Sequence, residues 1–294
     1  MDRSLHLKTT LAFFAIFVVW GSTYIAIKYA VETIPPFLMM GIRSVTAGIV
    51  LYLWGRSRGG TVQAIHWRAI LIIGFAFFLI GHGLLAWAQR EVPSGIAALL
   101  VASEPLWITA IEFIAFKDST TRLRGLIGMG LGFAGIALLV ASTNDVSVSG
   151  GDFIGVAAIL VATLSWGGGA VYSRVARLPK SPPVAAGLEL IAGGLMLLTV
   201  SAILGEPQTL EAGTITMRSV LGLAYLVLFG SVVTFSAYVW LLTFVPASRV
   251  STHAYVNPII AVLIGWVVAD EALTMSMLAA TAIIVTSVYL VLKR

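Results

Sequence analysis

The candidates for chemistry are ionisable side chains within long apolar runs of this sequence: Arg43, His82, Glu104, Glu112, Glu189 and His253. A carboxyl or imidazole group in such a place can bind a proton or a polar substrate, and a guanidinium can hold a carboxylate. Ionised groups are costly to place in hydrocarbon, so we expect these side chains to face the interior of a bundle and to find partners there.

The composition indicates that the bilayer is the solvent of this chain. Of 294 residues, 59% are hydrophobic and 11% are charged, whereas an ordinary soluble domain has about a quarter charged residues. A helix needs about 20 apolar residues to cross the hydrocarbon. Ten such runs are predicted, at residues 9–29, 36–54, 67–88, 94–116, 123–141, 153–175, 182–204, 219–243, 247–269 and 274–292.

The positive charges are divided unequally between the loops. With a cytoplasmic N-terminus, alternate loops place fourteen Lys and Arg residues on the inner side and three, Lys28, Arg90 and Arg218, on the outer side. Cytoplasmic loops of membrane proteins carry such an excess. We therefore expect ten transmembrane helices with both termini cytoplasmic, and we attribute the net charge of +5 to topology rather than to a nucleic-acid partner.

Several positions of the first half recur in the second half. The matching pairs are Trp20 and Trp166, Pro35 and Pro182, Trp87 and Trp240, Pro93 and Pro246, and Glu104-Pro105 and Asn257-Pro258. The halves, residues 1–146 and 147–294, each contain five predicted spans and therefore enter the membrane with opposite orientation. Inverted repeats of this kind are typical of transporters. Duplication can also build a stable bundle in a channel or in a membrane-embedded enzyme.

Pro105 and Pro258 are predicted as helix breaks near the middle of the bilayer. Each follows a polar residue, Glu104 or Asn257, that lies about 15 Å from the end of its span. Proline removes a helical hydrogen bond, and the freed carbonyl needs a protein partner or a water-filled cavity. The pairs predict either two opened helices around one cavity or two packing kinks. Glu104 is a candidate for substrate contact or proton binding, or a permanently protonated residue that bonds a neighbouring helix.

The remaining ionisable groups also allow two interpretations. Arg43 and Glu189 are related by the 146-residue offset and lie at intermediate depth, so a salt bridge or a shared substrate clamp is a candidate arrangement. His82 and His253 are lone histidines. Each is predicted to be either a hydrogen-bonded core residue or a proton relay.

Three tryptophans, Trp20, Trp107 and Trp166, lie well inside predicted spans rather than at the interfacial depth that tryptophan favours. Tyr24 and Tyr172 follow two of them about one turn later. Large rings beside glycine and serine at this depth suit the wall of a cavity where a flat or apolar group stacks. Filling between close-packed helices is the competing interpretation.

Short motifs occur in a fixed order along both halves. They are Trp20-Gly21-Ser22-Thr23-Tyr24, Pro35-Pro36, Gly41-Ile42-Arg43, Val92-Pro93-Ser94-Gly95-Ile96-Ala97-Ala98, Ser165-Trp166-Gly167, Phe229-Gly230-Ser231, Ala254-Tyr255-Val256-Asn257-Pro258 and Asp270-Glu271-Ala272-Leu273-Thr274. Together they resemble bacterial EamA-type permeases of the drug/metabolite transporter superfamily over nearly the whole chain.

The resemblance implies an all-α membrane protein in which two inverted five-helix repeats surround a central cavity. The first four spans of each half would line this cavity. The residues of this chain that fall on those spans, and that we take as candidate substrate-contacting residues, are Trp20, Tyr24, Arg43, His82, Glu104, Trp107, Trp166, Glu189, Tyr238, His253, Tyr255 and Asn257.

The resemblance also implies a multi-pass transporter of the bacterial inner membrane. It would export small metabolites, such as amino acids and related, aromatic or toxic compounds, by alternating access, with protons as a candidate coupling ion. The alternative is a passive channel or facilitator that uses the same cavity. The expected partners are the lipid bilayer and a small-molecule substrate, and a monomer is compatible with the sequence.

An enzyme is not expected from this sequence. No Gly-x-Ser-x-Gly, His-Glu-x-x-His or phosphate-loop pattern occurs. The chain contains no cysteine, which excludes disulfides and thiolate metal sites. We therefore expect no catalytic residues, no metal site and no cofactor.

Overall fold

A computed structural model describes residues 3–116, 123–142, 150–210, 213–242, 245, 250 and 252–292. Within these ranges all regular structure is helical. In the described part, seven helical stretches, some of which join consecutive segments as Leu5–Val31 does, are long and apolar enough to cross a membrane. Ile127–Val140, His253–Ala269 and Met275–Val291 are shorter apolar helices. The expected all-α membrane fold is therefore confirmed, whereas the count of ten spans, the repeats and the sides of the termini stay predictions.

The α-helices are numbered here along the chain. They are α1 (Arg3–Phe14), α2 (Trp20–Val31), α3 (Pro36–Ser57), α4 (Trp67–Gly74), α5 (Gly83–Ala88), α6 (Ser94–Val101), α7 (Glu104–Phe116), α8 (Leu123–Ser142), α9 (Gly150–Ser173), α10 (Pro182–Ile203), α11 (Met217–Tyr225), α12 (Thr234–Leu242), α13 (His253–Ala269) and α14 (Met275–Leu292). Three π-helical segments connect consecutive helices without a break: π1 (Ala15–Val19), π2 (Phe75–His82) and π3 (Leu226–Val233).

Proline sets the start of several helices. Pro36 and Pro182 occupy the first turns of α3 and α10, and Pro93 directly precedes α6. Proline suits this position because its missing N–H would have no intrahelical acceptor and its φ is already helical. The predicted spans at 36–54, 94–116 and 182–204 begin at the observed residues for this reason.

The two predicted helix breaks differ in the structure. Between α6 and α7 the chain makes a turn at Ala102 and Ser103, so that Glu104 begins a new helix. Pro258, in contrast, lies inside a continuous α13. Proline removes one hydrogen bond in either case, but only the first half opens the helix before the proline.

A seam of glycines joins α3 to α10 in antiparallel orientation. A Cβ atom at Gly41 would lie 2.6 Å from the Leu198 side chain, and one at Gly48 would lie 2.7 Å from the carbonyl oxygen of Gly187. At Gly55 it would lie 2.9 Å from the backbone nitrogen of Val184. Glycine every seven residues therefore keeps the two backbones in contact over about 21 Å of helix. We call this contact the glycine seam.

The glycine seam contains the same contact twice. Gly187 approaches the backbone nitrogen of Tyr52, where a Cβ would lie at 2.6 Å, just as Gly41 approaches Leu198. Adding the offset of 146 to positions 41 and 52 gives 187 and 198. The offset that relates Trp20 to Trp166 in the sequence therefore also relates the two sides of the glycine seam.

Another glycine face packs the two apolar helices α8 and α14 together. Cβ atoms at Gly128 and Gly135 would lie 2.8 Å from Val291 and 2.9 Å from Ile283. At Gly132 the nearest atoms belong to Leu106 and Ser287. This glycine face of α8 is therefore used inside the molecule.

The glycine seam generates a stability prediction. Gly48→Ala should lower the free energy of unfolding by about 1–3 kcal/mol, because the added methyl group meets backbone atoms that cannot move aside. Thermal unfolding of the purified protein in detergent measures this change. Gly130→Ala is the matched control, since nothing lies within 4 Å of its Cβ position. An equal loss in both variants would contradict the importance of the seam.

Candidate functional site

Two aromatic clusters lie inside the bundle. The first consists of Trp20, Tyr238 and His253, in which the ring centroid of Trp20 lies 5.5 Å from that of Tyr238 and 5.0 Å from that of His253. Because the three residues belong to α2, α12 and α13, this cluster joins helices from the two predicted halves. We call it the first aromatic cluster.

The second aromatic cluster consists of Trp166, Phe77, Phe78 and His82. Trp166 stacks on Phe77 with the ring centroids 4.7 Å apart, and its centroid lies 4.8 Å from that of His82. Phe78 packs edge-on against His82 at 5.2 Å. Trp166 belongs to α9 and the other three residues to π2, so this cluster also joins the two predicted halves.

Each central tryptophan is held against a π-helical segment. The indole nitrogen of Trp20 donates a hydrogen bond to the carbonyl oxygen of Gly230 in π3, at 3.0 Å. The ring of Trp166 covers Gly81 in π2, where a Cβ would lie 2.9 Å from it. The π-helical turn is a rare, wider turn that is frequent at functional sites. Trp20 and Trp166 thus occupy corresponding places although they lie on different elements.

Glu104 lies beside the first aromatic cluster. It begins α7, is partly exposed, and interacts electrostatically with the phenol groups of Tyr24 and Tyr238. The ion pairs within the described ranges join other residues, Glu112 to Arg174 and Glu32 to Arg218. The arrangement leaves a carboxyl group inside the bundle, within electrostatic reach of two phenol groups and without a basic partner in those ranges.

Arg43 is buried and is held by neutral groups. Its Nε donates to the hydroxyl of Ser231 at 3.1 Å, and that hydroxyl donates in turn to the carbonyl oxygen of Leu226 at 3.0 Å. Its Nη1 donates to the sulfur of Met40 at 3.6 Å. Arg43 also interacts electrostatically with His82 of the second aromatic cluster. The guanidinium therefore connects α3 to π3 and lies near the second cluster.

The predicted salt bridge between Arg43 and Glu189 is wrong for this structure, in which the two form no ion pair with each other. The glycine seam places position 41 opposite 198, so position 43 is level with Met196. Glu189 is seven residues, or about 10 Å, further along α10. Glu189 is buried there, and its backbone carbonyl lies 3.1 Å from the Cβ position of Gly74.

Two further predicted site residues, Trp107 and Tyr255, face neighbouring helices. The indole nitrogen of Trp107 donates to the hydroxyl of Ser103 at 3.2 Å, and its ring packs edge-on against Phe133 of α8 at 5.0 Å. Tyr255 packs edge-on against Tyr289 of α14 at 6.4 Å. These two side chains therefore contribute to packing toward α8 and α14.

Asn257 bridges α13 and π1. In the amide orientation that satisfies its surroundings, its nitrogen donates to the carbonyl oxygens of His253 at 3.2 Å and Phe17 at 3.1 Å. The side chain beside Pro258 thus supplies a tie between helices, at the place where an opened helix was predicted.

Sequence reasoning missed the partners that hold the candidate residues. Phe77 and Phe78 form half of the second aromatic cluster, and Ser231 holds Arg43. No spacing or motif in the sequence pointed to Phe77 or Phe78. Ser231 stands in a motif that supported the family resemblance, but no spacing rule links it to Arg43.

The anchored indole of Trp20 generates a second stability prediction. Trp20→Phe should lower the free energy of unfolding by about 1–3 kcal/mol, because the buried carbonyl of Gly230 loses its donor. Trp166→Phe is the matched control, since stacking on Phe77 survives and the indole nitrogen of Trp166 makes no hydrogen bond to a residue that the structure describes. Thermal unfolding of both variants in detergent measures the difference. A loss for Trp166→Phe as large as that for Trp20→Phe would contradict the role of the hydrogen bond.

Comparisons with known proteins show the family to which this chain is related. Residues 7–141 and 153–293 each match the EamA-like transporter family. The chain is 35% identical over 284 residues to an uncharacterized inner membrane transporter, YedA, of Escherichia coli, covering 95% of this chain and 89% of YedA. It is 24% identical to an uncharacterized transporter, YoaV, of Bacillus subtilis, covering 96% of each.

Two further similarities also cover most of the chain. Protein PecM of Dickeya dadantii is 25% identical over 278 residues, which covers 93% of this chain and 88% of PecM. A solved crystal structure superposes with a TM-score of 0.65 at 20% sequence identity and covers 96% of each chain. The structural likeness supports the fold alone.

These findings confirm the resemblance and the prediction of a multi-pass protein of the inner membrane. Family and relatives are transporters rather than enzymes. The chain belongs to the EamA-like transporter family.

Proposed function

We propose that this chain is a secondary transporter that exports small metabolites across the inner membrane by alternating access. In this proposal residues 1–146 and 147–294 are inverted repeats of five spans each, and both termini are cytoplasmic. The substrate, an amino acid or a related, aromatic or toxic compound, occupies a central site between the two aromatic clusters. No cofactor or metal takes part.

The duplicated contacts support alternating access. Trp20 meets π3 and Trp166 meets π2, and the glycine seam pairs Gly41 with Leu198 as it pairs Gly187 with Tyr52. Repeats that are related by inversion let one bundle take two related shapes, each open to one side. The double match to the family at residues 7–141 and 153–293 supports the same division.

The observation that carries the proposed site is Glu104, a partly exposed carboxyl group inside the bundle beside Tyr24 and the first aromatic cluster. Aromatic faces bind flat or apolar groups, and a few polar groups fix their orientation. Arg43, near the second cluster, is the group that suits a substrate carboxylate. The two clusters together offer stacking surfaces and both signs of charge.

Proton coupling is assigned to Glu104 in this proposal. A carboxyl group that faces the cavity in both states can take a proton on one side and release it on the other. The proton gradient would then drive export of the substrate against its own gradient. The second candidate, a passive channel, uses the same residues but moves substrate only down its gradient.

Accumulation against a gradient tests the function. A metabolite that is depleted from the medium when the gene is deleted identifies the substrate, which is then followed in sealed proteoliposomes. The proposed transporter should concentrate it when a pH step is imposed, whereas liposomes without protein should not. Mere equilibration would favour the channel, and no flux at all would contradict both candidates.

Glu104→Gln tests the coupling role. The amide keeps the shape of the side chain but cannot exchange a proton, so transport should lose its pH dependence while expression and substrate binding persist. The pH profile of uptake into proteoliposomes measures this. Glu91→Gln, at an exposed position, is the matched control and should keep the pH dependence. An unchanged profile for Glu104→Gln would remove Glu104 from the mechanism.

A further inference from the structure

The carboxylate of Glu271 caps the first turn of α6 across the fold. Its two oxygens accept hydrogen bonds from the backbone N–H groups of Ser94 at 2.6 Å and Gly95 at 2.9 Å. The first N–H groups of a helix have no intrahelical acceptor and form the positive end of its dipole, so a carboxylate is a strong partner. The chain after α13 is thereby tied to the start of α6.

The end of α13 is shaped to present this carboxylate. Asp270 adopts a left-handed conformation with φ of 51°, and the N–H of Glu271 donates to the carbonyl oxygen of Gly265 at 3.1 Å. A Cβ at Gly265 would lie 2.5 Å from Oε2 of Glu271, and a Cβ at Gly95 would lie 3.3 Å from it. Glycine at both positions leaves the space that the carboxylate occupies.

Further contacts join helix ends on the same side of the bundle. The hydroxyl of Tyr29 donates to the carbonyl oxygen of Val268 at 3.0 Å, which ties α2 to the last turn of α13. The ammonium group of Lys28 donates to the carbonyl oxygen of Arg90 at 3.4 Å. In the predicted topology this is the outer side. Tyr29 and Glu271 therefore tie α2 and α6 to the end of α13, on the predicted outer side of the bundle.

We propose that Glu271 is the latch of an outer gate, which holds α6 while the path is closed to the outside and releases Ser94 and Gly95 when it opens. This inference rests on the alternating-access function proposed above. Because α6 leads through the turn at Ala102 into Glu104, movement of α6 reaches the proposed site. Pro93, Thr274 and Met277 line a small pocket beside Glu271.

Glu206 provides a control from within the same chain. Its carboxylate accepts hydrogen bonds from the N–H groups of Phe37 at 3.3 Å and Leu38 at 2.8 Å, at the start of α3. The chemistry equals that of Glu271, and the predicted topology places it on the same side. However, the glycine seam fixes α3 along its length, so loss of this cap leaves α3 in place. Glu206 is a structural cap, whereas Glu271 is a positioning residue.

The absence of cysteine from the chain makes the gate measurable. Ser94→Cys introduces a thiol at the latch, at a buried serine whose hydroxyl has no hydrogen-bond partner among the described residues. Tyr24→Cys introduces one deeper, beside Glu104. A membrane-impermeant maleimide added to the outside of right-side-out vesicles then reports how often each thiol is reached. Each reporter is combined with Glu271→Gln or Glu206→Gln.

We expect Glu271→Gln to raise the labelling rate of both reporters about tenfold, the factor that loss of a hydrogen bond to a charged group is worth. Glu206→Gln should change the rates by less than about twofold. Gly265→Ala keeps the charge of Glu271 but displaces its carboxylate, so it should raise labelling as Glu271→Gln does. This variant decides the question if Glu271→Gln fails to reach the membrane.

The proposal is overturned if neither Glu271→Gln nor Gly265→Ala raises labelling, or if Glu206→Gln raises it equally. Transport by the unmodified chain is measured in parallel, so that the two proposals fail separately. If the chain transports substrate but labelling does not respond to Glu271, only the latch is wrong. If the chain moves no substrate, the proposed function is wrong whatever the labelling shows.

Discussion

The close approach of α3 and α10 along the glycine seam is the constraint on which the rest of the structure depends. In a bilayer, apolar burial gives helices little reason to associate, so contact between backbones and dispersion between closely spaced atoms must hold them together. Gly48 and Gly187 bring the two backbones within reach of each other. This fixed register then places Arg43 beside Ser231 rather than beside Glu189. The seam does not include α6 and α7, which contacts with other helices hold in place.

Much of the fold follows from the sequence because a helix that crosses the bilayer needs a long apolar run that can be recognised in the sequence. Apolar runs of about 20 residues and prolines at the first helical turn predict where α3, α6 and α10 begin. The π-helical segments could not be predicted, since they depend on which carbonyl groups find partners in neighbouring helices. The glycine seam was also missed, because glycine is so frequent in membrane helices that Gly41, Gly48 and Gly55 look ordinary before α10 is placed.

For the candidate site, the sequence predicts which residues lie inside the bundle better than it predicts which side chains contact one another. The mid-depth rings of Trp20 and Trp166 do lie in interior aromatic clusters, and Glu104 does lie beside one of them. Which residues pair depends on rotation about each helix axis, and one residue changes this rotation by about 100°. For this reason Trp107 packs toward Phe133. Arg43 and Glu189 are separated along the helix axis instead, because Glu189 lies seven residues, or about 10 Å, along α10 from the position level with Arg43.

The glycine seam has a consequence for how the chain is assembled as it leaves the ribosome. The groove that Gly41, Gly48 and Gly55 form on α3 is filled by α10, which is synthesised only after the whole first half has entered the membrane. Until then lipid chains are the available neighbours of this groove. We therefore expect the first half to lack its tightest helix contact until α10 has entered the membrane.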